Sequence, residues 1–219
     1  MAIRRDQMWG MRWMVIVLVS WVLGTAAAAS DVLGASGAAG EWRALAVVLN
    51  AGCVWAALAV VCGWLARGRL TAALAGVVGL TVAVLGYYGY AVLLGDRAEL
   101  SVWAASGSIR FWLVAAVLLG PGLGLVGSAA RRTDLVGVAA AWVLPAGTVT
   151  EVALLVRADS YGSGGDPGQA AANLALLVAA GIVASAAVLR WLVVRWLVLR
   201  GSRANQRRAA QPSSASATA

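Results

Sequence analysis

Five polar side chains stand inside otherwise apolar stretches and are the residues with the means to do chemistry: Asn50, Tyr87, Tyr88, Arg110 and Glu151. Glu151 lies five positions before Val156, the end of its apolar run. A helical rise puts it roughly 8 Å below that boundary. A charge at the centre of a membrane-spanning helix costs about 2.5–3.5 kcal/mol on the insertion scale, and less toward the edge. Glu151 therefore calls for a partner or a wet cavity. Thr148 shares its helical face three positions earlier. Arg110 opens the preceding apolar run, in a segment where Trp103, Gly107 and Arg110 share a face. It is the one arginine at the outer start of a span rather than in an obvious loop, so an Arg110–Glu151 ion pair is expected. Two readings of the whole set stand side by side. In one, Asn50, Tyr87, Tyr88, Arg110 and Glu151 line a ligand pocket. In the other, Trp103, Trp112 and Tyr90 form an aromatic belt aimed at head groups, with the ion pair as a structural tie.

The remaining repertoire is narrow. All 17 basic residues are arginine, there is no histidine, and nine carboxylates complete the charged set. Without histidine there is no imidazole metal site and no Ser-His-Asp or Cys-His catalysis. Without lysine there is no Walker A phosphate site and no Schiff base. No second acid, base or nucleophile accompanies Glu151 at motif spacing. No catalytic residue, cofactor or metal site is expected, and the chain reads as a non-enzyme. Cys53 and Cys62, nine positions apart in one apolar run, fall on opposite helix faces and read as buried apolar residues. Gly122-Leu123-Gly124-Leu125-Val126-Gly127 matches GxGxxG, but it lies inside an apolar span and not after a strand. Helix packing is the expected role, with Gly120 and Gly124 forming a GxxxG surface. Gly86 and Gly89 read the same way, and Gly120-Pro121 is a candidate kink.

What positions these residues follows from composition. The 219 residues are 62% hydrophobic and 12% charged, with a mean hydropathy of +0.84. Soluble domains carry about 25% charge, so most of this surface must meet lipid. Apolar stretches of about 20 residues cross a bilayer as helices. Six qualify: Trp13–Ala29, Ala44–Leu65, Leu70–Leu94, Ile109–Ala130, Leu135–Val156 and Ala170–Leu189. The expected fold is all-α, a polytopic membrane bundle of six transmembrane helices. Residues 1–12 form a basic cytoplasmic N-terminus, 13–200 the transmembrane domain, and 201–219 a disordered, basic, Ser/Ala-rich cytoplasmic tail.

Arginines set the orientation. Arg4, Arg5, Arg12, Arg67, Arg69, Arg131, Arg132 and the six from Arg190 to Arg208 fall on one side. Only Arg43, Arg97, Arg110 and Arg157 fall on the other. Both termini are therefore expected in the cytoplasm of a bacterial cell, with the protein in its plasma membrane. Asp31, Glu41, Asp96, Glu99, Asp159 and Asp166 then lie in outer loops. The run Ala26–Ala29 resembles a signal cleavage site, but the apolar stretch before it is long and five more spans follow. The first helix is expected to be retained. Arg190, Arg195 and Arg200, with Trp191 and Trp196, read as an anchor for anionic lipid at the cytoplasmic face. Those arginines account for the pI near 11.0 without nucleic acid.

Asn50 with Trp55, Tyr87-Tyr88, Trp112 with Gly120-Pro121, and Glu151 together resemble an uncharacterised family of small six-span membrane proteins of high-GC Gram-positive bacteria. The resemblance covers about residues 13–195 and implies no activity. Size and span number are more distantly similar to the substrate-binding subunits of energy-coupling-factor vitamin transporters. The expected function is a binding protein that takes a small solute or lipid from outside, in the manner of a transporter subunit. The competing expectation is an assembly protein that meets a membrane-protein partner through Gly/Ala faces.

Overall fold

The computed structural model describes residues 5–35, 40–93, 107–159 and 167–209. Seven helices and no strand occur among them: α1 (Arg5–Ala35), α2 (Gly40–Asn50), α3 (Gly52–Leu65), α4 (Arg69–Leu93), α5 (Ser108–Ala130), α6 (Leu135–Asp159) and α7 (Pro167–Ala209). Five of these (α1, α4, α5, α6 and α7) are long and apolar enough to cross a membrane. Helices α2 and α3 together pass the same test but meet at a 53° bend.

The packing is that of a protein whose solvent is lipid. Buried positions are mostly small, with Ala27, Ala59, Ala72, Ala75 and Ala83 wholly inside. Large apolar side chains face out, including Leu118, Leu119, Ile182 and Leu192. Lipid tails are as apolar as leucine, so burying large side chains gains little, and small residues let helix backbones approach. Helix α4 lies at the centre, flanked by α1 and α5, with α3 against both α4 and α5. Ile16, Leu58, Cys62, Ala66, Ala72, Ala75 and Ala83 join α1, α3 and α4 into one core. Helices α6 and α7 pair with each other, and α2 leans on α1 and α7.

The glycine run of α5 serves this packing. A Cβ at Gly124 would sit 2.1 Å from the Ala72 carbonyl oxygen, and one at Gly120 would lie 2.8 Å from the Val77 backbone. Those backbones touch because neither residue has a side chain. Cys53 and Cys62 are free thiols, with Cys53 packed toward Val152 and Leu176 and Cys62 in the core.

Four expectations change. The second span, expected as one helix over Ala44–Leu65, breaks at Ala51, whose φ of −62° and ψ of 135° are extended. Asp31, expected in an outer loop, lies within α1. Gly107 does not continue a helix that includes Arg110: its φ of 75° is left-handed and it precedes the first turn of α5. Trp103, the other member of that expected face, lies outside the described residues. Finally, the helical backbone of α7 continues to Ala209, into the segment expected to be disordered. Residues 210–219 lie outside the described residues, as do Asp96, Arg97, Glu99 and Asp166.

One end of the bundle gathers arginines. The Arg12 Nη1 donates to the Leu65 carbonyl at 3.4 Å. Burial, and then the nearby Arg12 and Arg67, push Arg131 below the ordinary arginine value. Arg190 donates to the carbonyls of Ala130, Arg131 and Arg132, so it closes the C-terminus of α5, where helix carbonyls lack partners. Arg195 stacks its guanidinium over Trp191 at 5.1 Å, and the side chain of Arg200 is outside the described set. Asp134 receives the Gly137 N–H at 3.0 Å and pairs with Arg132.

Candidate functional site

The opposite end of the bundle is built around the break in the second span. Asn50-Ala51-Gly52 interrupts the helix, which strands carbonyls at the end of α2 and N–H groups at the start of α3. In a low-dielectric surrounding each such group must find a partner, and the neighbouring residues supply several. The Ala51 N–H donates to the Val48 carbonyl at 3.2 Å. The Trp55 indole Nε1 donates to the Leu49 carbonyl at 3.0 Å. The Asn50 amide Nδ2 donates to the Ala46 carbonyl at 3.0 Å.

Glu151 closes the other side. Its Oε1 accepts the Gly52 N–H and its Oε2 accepts the Cys53 N–H, each at 2.7 Å. A carboxylate at a helix N-terminus meets both free donors and the positive end of the helix dipole. Helix α6 thus holds α3 in its bent course. The expected Arg110–Glu151 pair does not form: among the described residues the ion pair is Arg132–Asp134. Arg110 is exposed on α5, where its guanidinium can snorkel to water. Two fixed backbone donors satisfy Glu151 without ordering a long side chain. Thr148, on the same face, is buried and donates to the Leu144 carbonyl at 3.0 Å.

The residue that sequence reasoning missed is Asp31. Its Oδ1 accepts the Asn50 Nδ2 at 2.8 Å, and its Oδ2 accepts the Tyr87 hydroxyl at 2.5 Å. One carboxylate thereby ties α1, α2 and α4 together. The signal was present: helical chain continues through Ser30-Asp31-Val32-Leu33, but the apolar run weakens after Ala29 and suggests a span end there.

Beside Glu151 lies a cavity of about 440 Å³, lined by Asn50, Gly52, Trp55, Val84, Tyr87, Tyr88, Trp112 and Glu151. Four of the five residues anticipated for a pocket, Asn50, Tyr87, Tyr88 and Glu151, meet here, and Arg110 is not among the lining residues. Trp55 and Tyr87 have ring centroids 6.3 Å apart at 66°, and Tyr87 and Tyr88 are 5.2 Å apart at 75°. Edge-to-face contacts of this kind set neighbouring ring planes steeply to one another. Trp112, counted toward the belt by sequence, is half exposed on α5 and still forms part of the wall. Clefts of about 300–1,000 Å³ with apolar walls and a few polar groups have the dimensions of small-molecule sites.

A comparison with the curated proteins found no match, and none was found among the solved structures. A family model does match, over residues 4–206. With nearly the whole chain covered, this multi-helix protein belongs to the family of unknown function DUF6518.

Proposed function

We propose that this protein is a six-span plasma-membrane protein of a bacterial cell that binds a small solute in a cavity open to the outside. The observation that carries the reading is the cavity itself: an aromatic and polar hollow at a broken span, at the end of the bundle away from the arginine cluster. Discontinuous spans supply backbone dipoles and irregular chain where a cavity is lined, and transporter sites use them in this way. The arginine end faces the cytoplasm under the positive-inside rule, so both termini are inside and the cavity faces out. Arg195 meets anionic lipid there.

The role is binding rather than catalysis. Both Glu151 oxygens are engaged by backbone N–H groups, which makes the carboxylate a helix cap and not an acid in waiting. Energised transport would draw on other chains, as in a transporter subunit. Assembly through Gly/Ala faces is the weaker reading, because Gly63, Gly76, Gly120, Gly124 and Gly127 are already closed against other helices of the same chain. The test is an Asn50→Cys variant in a Cys53→Ala, Cys62→Ala background. A membrane-impermeant maleimide should label it in intact cells, and labelling only after permeabilisation would refute an outward cavity.

A further inference from the structure

We infer that the cavity accepts a small organic cation with an alkylated ammonium group. The inference rests on the cavity being a ligand site and adds the class of ligand. Four aromatic rings, Trp55, Tyr87, Tyr88 and Trp112, contribute to the wall, and among the described residues the one charged group in the lining is the carboxylate of Glu151. A second carboxylate, Asp31, stands directly behind Asn50 and Tyr87 through hydrogen bonds to both. Among the described residues the lining includes no arginine. The charged group of the described lining is thus an anion, and the walls are ring faces and edges. Cations over the faces of Trp and Tyr are attracted by the ring quadrupole, and quaternary ammonium groups are held in such aromatic cages.

The hydrogen-bond pattern narrows the class. Each oxygen of Glu151 already accepts a backbone N–H, and each oxygen of Asp31 accepts a side-chain donor. These bonds occupy about half of the acceptor positions of each carboxylate, and the rest of the wall is mainly ring surface. A primary ammonium is strongly hydrated and gives up more hydrogen bonds to water than ring faces return. An alkylated ammonium has few or none to give up and gains from the ring faces and the Glu151 charge. Free solute and lipid head group share this chemistry.

The experiment uses the full chain in an uncharged maltoside detergent. Isothermal titration calorimetry compares choline with its neutral isostere 3,3-dimethyl-1-butanol. Choline should bind saturably and about tenfold more tightly than the isostere, and Trp112→Leu should weaken choline by a similar factor. Trp112 is half exposed, so this variant keeps the fold. Equal affinity for the two probes would overturn the cationic class while leaving the cavity reading intact. Choline binding that Trp112→Leu and Tyr88→Phe both leave unchanged would place the site elsewhere and overturn the inference. Absence of saturable choline binding would overturn it as well, and labelling of Asn50→Cys then reports separately whether the cavity reading also falls. Repeating the titration in discs of phosphatidylglycerol and of phosphatidylcholine separates the sources. Loss of choline binding only in phosphatidylcholine supports a lipid head group, and equal binding in both supports a free solute.

Discussion

At the scale of single residues, two carboxylates do unlike work at the same end of the molecule. Glu151 holds two backbone N–H groups of α3, and Asp31 holds an amide and a phenol from two other helices. Hydrogen bonds to charged groups contribute about 1.5–3 kcal/mol each, and a buried donor left unmade carries its own penalty. Glu151→Ala should therefore lower stability in detergent by about 2–4 kcal/mol. Arg110→Ala, at an exposed position without a tie to Glu151, should change it by less than about 1 kcal/mol. The double variant should be additive within about 0.5 kcal/mol, as read by thermal unfolding; a coupling larger than that would restore the ion pair. At Asp31 the conservative change is on its partner. Tyr87→Phe removes one hydroxyl and keeps the ring, so it should cost about 1–2 kcal/mol, while Tyr90→Phe on the same helix serves as the control. Glu151 was legible in the sequence as a buried charge in need of partners. The nature of its partner was not, because backbone donors leave no mark on residue type. Asp31 was visible but misplaced, since hydropathy registers where a run stops being apolar and not where a helix ends.

At the scale of elements, the broken span and the glycine seam divide the labour of bending and packing. The break at Ala51 lets α2 lie on α1 and α7 while α3 lies on α4 and α5. A straight helix over the same stretch would keep one axis and could not follow both surfaces. Nothing in the run Val47-Val48-Leu49-Asn50-Ala51-Gly52 compels a break: the glycine and asparagine weaken the helix, and tertiary contacts decide. The glycine seam was easier to read. Small residues at four-residue spacing in an apolar run have close helix approach as their ordinary use, and Gly120 and Gly124 lie at such approaches. Neighbouring glycines in α5 provide an internal contrast. A Cβ at Gly124 meets the backbone of Ala72, whereas nothing lies within 4 Å of one at Gly122. Gly124→Ala should force α4 and α5 apart at a cost of about 1–3 kcal/mol. Gly122→Ala should instead stabilise by about 0.5–1 kcal/mol, through the lost backbone freedom of glycine. Thermal unfolding of both variants in the same detergent checks the sign of each, and destabilisation of equal size at the two positions would show that the seam does not discriminate between them.

At the scale of the molecule, the question is whether α2 and α3 make one crossing or dip in and return. The contacts favour a crossing. Gly34, near the end of α1, lies against Arg43 and Ala46 at the start of the broken pair. Leu65, at its far end, receives Arg12 from the start of α1. The pair therefore enters where α1 leaves and leaves where α1 begins, antiparallel to it. A returning loop would bring Glu41 and Arg67 to the same side and would put Arg67 away from Arg131, yet those two guanidiniums lie close enough to repel. With the arginine end placed in the cytoplasm, as proposed above, the expected topology has six crossings. Single cysteines at Glu41 and Gly107 should react with an impermeant maleimide in intact cells, and cysteines at Arg67 and Thr133 only after permeabilisation. Reaction of Glu41 and Arg67 from the same side would make the pair a re-entrant loop and leave five crossings. Reaction of Thr133 from outside, with Glu41 protected, would invert the whole protein and turn the cavity to the cytoplasm. Labelling that alternates at all four positions is the outcome under which the broken span, the arginine cluster and the aromatic cavity form one consistent architecture.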